Sequence, residues 1–170
     1  MRKLMGYLSI LVLFVAVAGA VLLFTPLGAR PLTALFPVGE VAPIDFTALQ
    51  LTAKPNQYLL CPPDLCAADP HGFSPVFDIP PARLRERWQA VAAAQPRMAL
   101  LAEYDGGMQI DYVVRTARFR FPDIITVRFV PVPPAQSTIA VYSRSIYGRS
   151  DLGVNRARVE AWLGVLRQEP

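Results

Sequence analysis

The chain has 170 residues, of which 53% are hydrophobic and 18% charged, and its formal net charge is +4. The mean hydropathy of +0.32 is high for a soluble protein, but the excess lies in the first 24 residues. The remainder is long enough for one hydrophobic core and not for two. Once Arg2 and Lys3 are subtracted its charge is about +2, which argues against a nucleic-acid partner.

The first segment, residues 1–24, is predicted to be a transmembrane anchor. Residues 4–24 carry no charged side chain, and as a helix they span roughly 31 Å, the thickness of a bilayer core. Arg2 and Lys3 precede this apolar run, which places the N-terminus in the cytoplasm and the rest of the chain in the periplasm of a bacterial cell. A cleaved signal peptide is the alternative, because Ala18-Gly19-Ala20 resembles a cleavage site, although the apolar run continues beyond it. We therefore expect a single-pass protein of the cytoplasmic membrane.

Residues 25–56 are predicted to form a Pro-rich tether. Five prolines with little periodic pattern indicate an extended segment of polyproline II character. Its apolar residues Leu35, Phe36 and Phe46 are candidates for packing on the domain that follows. That folded periplasmic domain is expected over residues 57–170.

Cys61 and Cys66 are the two cysteines of the chain and enclose four residues. In an oxidising compartment, an even pair at this spacing predicts a structural disulfide. A redox pair usually has C-x-x-C spacing, and the lone His71 with Asp69 nearby is a poor set of metal ligands. We expect neither a metal nor a cofactor.

The domain is predicted to be α+β, in the order strand, helix, four strands, helix. The first strand is expected at residues 73–77 and the first helix at 81–94, where Leu84, Trp88 and Val91 recur at helical spacing. Four strands separated by turns containing Gly or Pro follow, at residues 97–104, 108–120, 124–131 and 137–146. The last helix is expected at residues 156–167, with Asn155 as its N-cap.

Short connections make the successive strands antiparallel. We therefore expect an antiparallel sheet of four or five strands with both helices on one face, where Trp88 and Trp162 are buried together. For the arginines at positions 115, 118, 120 and 128 the plainer expectation is a solvated sheet face, and the alternative is a basic face that extends an anion-binding site. Glu103, Asp105 and Asp111 flank a Gly-Gly turn and are expected in water.

Two stretches near the C-terminus carry a family resemblance. They are Tyr-Ser-Arg-Ser at residues 142–145 and the segment 148–160, which begins Gly-Arg-Ser-Asp-Leu-Gly-Val-Asn-Arg. They resemble the closing signature of the bacterial and plastid family catalogued as domain of unknown function 1499, and residues 118–126 also follow its pattern. The resemblance covers roughly residues 57–166, and it implies no activity, because none is assigned to the family.

The polar residues of this closing motif have two interpretations. In the structural one they satisfy backbone groups of a tight connection, Asp151 and Asn155 cap the last helix, and Arg144 pairs with a carboxylate. In the functional one the helix N-terminus, serines and arginines hold a phosphate or carboxylate. The candidate residues for such an anionic or amphipathic, lipid-like ligand are Ser143, Arg144, Ser145, Arg149, Asn155 and Arg156.

No catalytic constellation is recognisable in the sequence. His71 stands in a loop, and no serine lies in a G-x-S-x-G elbow. We therefore expect a non-enzymatic, membrane-anchored accessory domain that contacts another envelope or membrane protein. A binding module for a small anionic or amphipathic ligand is the alternative, and the sequence identifies neither partner nor ligand.

Overall fold

The computed structural model describes residues 2–168, so the expected domain limits at residues 1 and 170 lie outside the described part. An apolar N-terminal helix is followed by an α+β fold with a six-stranded sheet. The helices are α1 (Arg2–Phe24), α2 (Ala29–Leu35), α3 (Pro81–Ala93) and α4 (Val154–Gln168). The strands are β1 (Gln57–Cys61), β2 (Gly72–Phe73), β3 (Met98–Tyr104), β4 (Gln109–Arg115), β5 (Pro122–Val132) and β6 (Gln136–Ser145).

Helix α1 is apolar on all sides. Its segment Met5–Phe24 has a mean hydropathy of 2.7, and none of it is buried inside the protein. A helix that is hydrophobic all round is suited to lipid rather than to the surface of a soluble domain. The chain therefore has one N-terminal helix that is long and apolar enough to span a membrane, a property that a signal sequence shares.

The strands lie in the order β2-β1-β6-β5-β4-β3. Strands β3 to β6 form an antiparallel meander, and β1 extends it by pairing antiparallel with β6. The short β2 pairs parallel with β1. The sheet thus has six strands rather than the four or five expected, and it contains one parallel pair.

The predicted first strand at residues 73–77 is present only in part. Within it Phe73 pairs with β1, and Phe77 forms an isolated bridge with Ser137. The strand beside β6 is β1 instead. All five of its residues are buried, so it lacks the alternation of buried and exposed residues that marks a half-buried strand in a sequence.

The other predicted elements were close in position, with two differences. Strand β4 ends at Arg115 rather than at residue 120, because the chain turns there: the Phe121 backbone N–H donates to the Thr116 hydroxyl, and Arg120 has a φ of 60°. Helix α4 begins at Val154 rather than at residue 156. Asn155 therefore lies inside the helix and is not its N-cap.

Helices α3 and α4 pack on one face of the sheet, as predicted. Each helix buries an apolar stripe, which includes Leu84 and Val91 on α3 and Val159 on α4. These side chains and those of the sheet form one core cluster. The rings of Trp88 and Trp162 meet edge to face with centroids 5.7 Å apart. The two helices are thus fixed to each other as well as to the sheet.

The opposite face of the sheet, called here the back face, is also covered. Residues 36–51, called the strap, lie across it, and Phe46 of the strap is 1% exposed in a cluster with Leu59, Ala140 and Tyr142. The Gln109 side chain donates to the carbonyl of Ile44 at 2.9 Å. The expectation of a solvated back face was therefore wrong, and the reason is that part of the predicted tether folds onto it. Another part of that tether forms the short helix α2 rather than extended chain.

Candidate functional site

The closing motif builds a buried polar network where β6 meets the start of α4. Asn155, which is fully buried, lies at its centre. Its Oδ1 accepts from the Ser143 hydroxyl at 2.6 Å and from Arg158 Nη1 at 2.7 Å. Its Nδ2 donates to the backbone carbonyl of Asn56 and to Ser145 Oγ, both at 3.1 Å. All the hydrogen-bonding capacity of this amide is therefore used inside the protein.

A buried ion pair closes the network on the side of β5. Arg158 Nη2 lies 2.6 Å from Asp123 Oδ2, and the two side chains are 11% and 4% exposed. The Ser145 hydroxyl donates to the other Asp123 oxygen at 2.6 Å. A pair of this kind contributes little net stability, but removing one partner strands a buried charge and is costly.

The network also fixes the connection between β6 and α4. The Asn56 side chain donates to the carbonyls of Ser145 and Gly148, at 3.3 and 3.0 Å. The Asp151 carboxylate accepts from the backbone N–H groups of Gly153 and Asn155, at 3.1 and 2.7 Å. Asp151, one of the two predicted caps, is therefore the capping residue of α4. Its carboxylate satisfies some of the backbone N–H groups at the start of the helix.

The structure does not bring the three predicted site arginines to one point. Arg144 lies on the back face, since the adjacent Ser143 points towards α4. Arg149 is exposed in the loop before α4. Arg156 lies on α4, where it pairs with Glu160 at 2.8 Å and covers the ring of Tyr58 at 5.8 Å.

Arg144 belongs to a row of buried polar side chains on the back face. Its Nη1 donates to Thr126 Oγ1 at 3.2 Å, and its guanidinium lies 4.8 Å from the centroid of the Tyr142 ring. Burial lowers the pKa of Arg144, and the nearby Tyr142 and Asp111 partly oppose that shift. The structural interpretation expected a carboxylate for Arg144, and Asp111 is the one whose charge acts on it.

Asp111 is the most unusual residue of that row. It was expected in water, but it is 0% exposed, because the strap covers the face on which it lies. Burial raises the pKa of its carboxyl, while the Thr126 hydroxyl and the Arg144 guanidinium act in the opposite direction. Both carboxylate oxygens are inaccessible to solvent, and the Thr126 hydroxyl, opposite Asp111 in the β4–β5 register, is the donor that acts on them.

The predicted disulfide pair lies at the edge of the strap. The sulfur atoms of Cys61 and Cys66 are at bonding distance, with their Cα atoms 6.3 Å apart. His71 is used structurally, since its Nδ1 accepts from the backbone N–H of Leu59 at 3.0 Å. Within residues 2–168, no three His, Cys, Asp or Glu side chains are grouped so that they could hold a metal ion.

Sequence reasoning missed the roles of Asn56, Asp123, Arg158 and Asp111. Asn155 and Arg158 are three residues apart and so share a helix face, which is a signal that the sequence does contain. Asp123 follows a proline at the start of β5, and a Pro-Asp pair is equally typical of a turn. Asp111 is the single acidic residue within β4, and only the strap explains its burial.

One comparison with known proteins identifies the family. The family model described as protein of unknown function (DUF1499) matches residues 45–166. The chain belongs to this family, as the closing motif suggested, and the matched region includes the second part of the strap as well as the sheet and both packed helices. No curated protein matches the sequence.

Replacing Arg158 tests whether the closing motif is a structural network. Arg158→Ala should lower the free energy of unfolding by about 3–5 kcal/mol, because Asp123 is left buried without its partner. Arg156→Ala is the matched control, since that arginine is on the same helix in an exposed pair and its loss should change stability little. Urea unfolding of the full chain in detergent, followed by near-UV circular dichroism, measures both. Equal effects of the two substitutions would contradict the network.

Proposed function

We propose that the protein is a membrane-anchored accessory domain of the bacterial envelope that contacts another membrane or envelope protein and catalyses no reaction. The proposal rests on the short connection between α1 and the strap. The apolar helix ends at Phe24, and the strap begins at Phe36, so few residues separate lipid from the sheet. A domain tied this closely to its anchor works at the membrane surface.

Side chains near the end of α1 support a position close to lipid. The Arg118 guanidinium lies 5.2 Å from the ring of Phe24, the last residue of the helix. Phe36 packs edge to face on Phe121 and Tyr147, with centroids 4.5 and 5.4 Å away. Aromatic rings and long cationic side chains are typical of the boundary between hydrocarbon and water. We infer that this end of the domain faces the membrane.

The periplasm is the compartment that best fits the other features. Arg2 and Lys3 precede the apolar run, and the positive-inside rule then keeps the N-terminus in the cytoplasm. A stable bond between Cys61 and Cys66 requires an oxidising compartment. Both arguments support the proposal that the folded domain lies on the outer side of the cytoplasmic membrane.

Strand β3 is the surface we propose for the partner protein. It is one of the two edge strands of the sheet and pairs with β4 alone, while Leu100 and Leu101 are 55% and 38% exposed. The Arg115 N–H donates to the Arg97 carbonyl, so these two residues form a hydrogen-bonded pair of the β3–β4 ladder. Hydrogen-bonded and non-hydrogen-bonded pairs alternate along an antiparallel ladder. Leu100, three residues after Arg97, therefore belongs to a non-hydrogen-bonded pair, and its N–H points away from β4. A long apolar edge strand of this kind is suited to an extended segment of a partner that adds to the sheet.

A second candidate function is a binding module for a small ligand. The expectation that the Arg-rich motif holds an anionic or lipid-like ligand stays a prediction. Its serines and Asn155 are engaged in the internal network, and Arg144 and Arg156 lie on opposite sides of the sheet. The motif therefore gives less support to such a ligand than the edge strand gives to a protein partner.

The location is tested by the state of the N-terminus and of the thiols. We expect the full 18.7 kDa chain in the membrane fraction, resistant to alkaline extraction, with Cys61 and Cys66 unreactive towards maleimide until a reductant is added. A Leu152→Cys variant is the control, since this residue is 93% exposed and its thiol should react from outside the membrane. A soluble, shortened protein or freely reactive native thiols would contradict the proposed location.

The partner contact is tested by removing the outward N–H of β3. A photo-crosslinker at Glu103 should capture one membrane or envelope protein, and Leu100→Pro should abolish that crosslink, because proline has no N–H but is tolerated at an outward-facing edge position. Leu100→Ala keeps the N–H and should retain the crosslink. A crosslinker at the exposed Val165 on α4 is the positional control. Two results would contradict the contact at β3. In the first, the Leu100→Pro protein folds and still gives the crosslink. In the second, the native protein remains monomeric and gives no crosslink.

A further inference from the structure

The turn between β4 and β5 lies against the end of α1. Residues 116–121, called here the β4–β5 turn, have the sequence Thr-Ala-Arg-Phe-Arg-Phe. The Arg118 guanidinium is 5.2 Å from the ring centroid of Phe24, the last residue of the apolar helix. When α1 spans a membrane, the hydrocarbon layer ends near Phe24, so Arg118 lies at the depth of the phospholipid head groups.

Hydrogen bonds hold the β4–β5 turn in this position. The backbone N–H of Phe121 donates to the Thr116 hydroxyl, and the backbone N–H of Thr116 donates to the Phe121 carbonyl, both at 3.0 Å. Arg115 Nη1 donates to the carbonyl of Arg120 at 2.8 Å and to the carbonyl of Phe36 at 2.9 Å. Since Phe36 begins the strap, Arg115 ties the turn to the segment that follows α1.

The turn also carries an exposed aromatic ring. Phe119 is 47% exposed, and its ring stacks on that of Phe121 with centroids 5.4 Å apart. Phe121 in turn packs on Phe36 of the strap, at 4.5 Å. A row of rings thus runs from the strap to the surface beside the end of α1. Aromatic side chains at this depth are suited to the boundary between head groups and acyl chains.

The charged side chains of the turn are both positive. They are Arg118, which is exposed, and Arg120, which is half-buried. Among the described residues, neither guanidinium forms a salt bridge with a carboxylate. An exposed arginine in water needs no such partner, but at head-group depth its neighbours are phosphates. A planar guanidinium matches the oxygen atoms of a phosphate with two parallel N–H donors.

We propose that the β4–β5 turn binds an anionic phospholipid of the membrane that holds α1. Arg118 and Arg120 contact the phosphate of the head group, and Phe119 lies among the upper parts of the acyl chains. The contacts of the arginines are charge-assisted hydrogen bonds. This site rests on the proposed membrane location, to which it adds a lipid ligand, and it is independent of the proposed contact at β3.

A fluorescent label in place of Phe119 tests the contact with lipid. The sample is the full-length Phe119→Cys protein, labelled with the environment-sensitive dye NBD, in nanodiscs of phosphatidylcholine and phosphatidylglycerol. Cys61 and Cys66 are bonded to each other and do not take the label. We expect the emission to shift to shorter wavelength, and we expect quenching by lipids that carry a nitroxide just below the head group.

The matched control is the same label in a Val76→Cys protein. Val76 is 54% exposed and precedes Phe77, which pairs with Ser137 near the start of β6. The β4–β5 turn lies at the other end of that strand, where Asp123 pairs with Ser145. Eight residues of strand separate the two positions by roughly 26 Å. The label at position 76 should therefore remain in water and escape quenching.

The role of the two arginines is tested by native mass spectrometry of the full chain with added phosphatidylglycerol. The double variant Arg118→Gln/Arg120→Gln should bind the lipid at least about tenfold more weakly, because each arginine near an anionic lipid contributes about fivefold. Arg83→Gln/Arg167→Gln is the matched control. It removes two exposed arginines from α3 and α4 and should leave the affinity unchanged.

Three results would overturn the lipid site. The first is quenching at position 119 no stronger than at position 76 in nanodiscs that have taken up the chain. That result leaves the anchor intact, whereas a failure of the membrane location itself keeps the full chain out of the nanodiscs. The second is a folded Arg118→Gln/Arg120→Gln protein that binds phosphatidylglycerol as tightly as the native chain. The third is displacement of the lipid by an equal concentration of inorganic phosphate, which would define a site for soluble anions.

Discussion

A six-stranded sheet in this chain must be covered on both faces, and the rest of the structure depends on how the back face is closed. Helices α3 and α4 cover one face in the ordinary way of an α+β domain. The other carries apolar Leu59, Cys61 and Ala140, and the strap, with the disulfide loop beside it, shields them. Burying a side chain such as Phe46 contributes about 1.5–3 kcal/mol, so the strap is held by its own packing.

The strap determines two features of the molecule, the short join to the apolar helix and the burial of Asp111. The strap follows α1 after a short helical connection, so its packing holds the domain near the end of the apolar helix. It also crosses β4 at Asp111, which turns an acidic residue of an open sheet into a buried one. The closing motif has a different role. Its buried network fixes α4 to β5, β6 and the start of β1.

The helix face of the fold was predictable, and the back face was not. Leu84, Trp88 and Val91 recur at helical spacing, and the turns at Gly106-Gly107 and Pro133-Pro134 separate the strands, so periodicity and turn residues together predicted most elements. β1 has no alternation, because it is buried on both faces, and the strap has no periodicity at all. The burial of Asp111 follows from that long-range packing, which local sequence does not encode. At the closing motif the sequence predicted which polar residues gather, but not that Asp123 and Arg158 complete the network.

Thiol protection at the centre of the back face tests the covered sheet most directly. Thr126 is fully buried there, so a Thr126→Cys thiol in the full chain should react with maleimide only as fast as the domain unfolds. A Leu152→Cys thiol, at a position 93% exposed, gives the rate for an open site. Slow reaction at position 126 is the result that a packed strap predicts. Reaction there as fast as at position 152 would mean that the segment after α1 is a free tether, and the covered back face would be wrong.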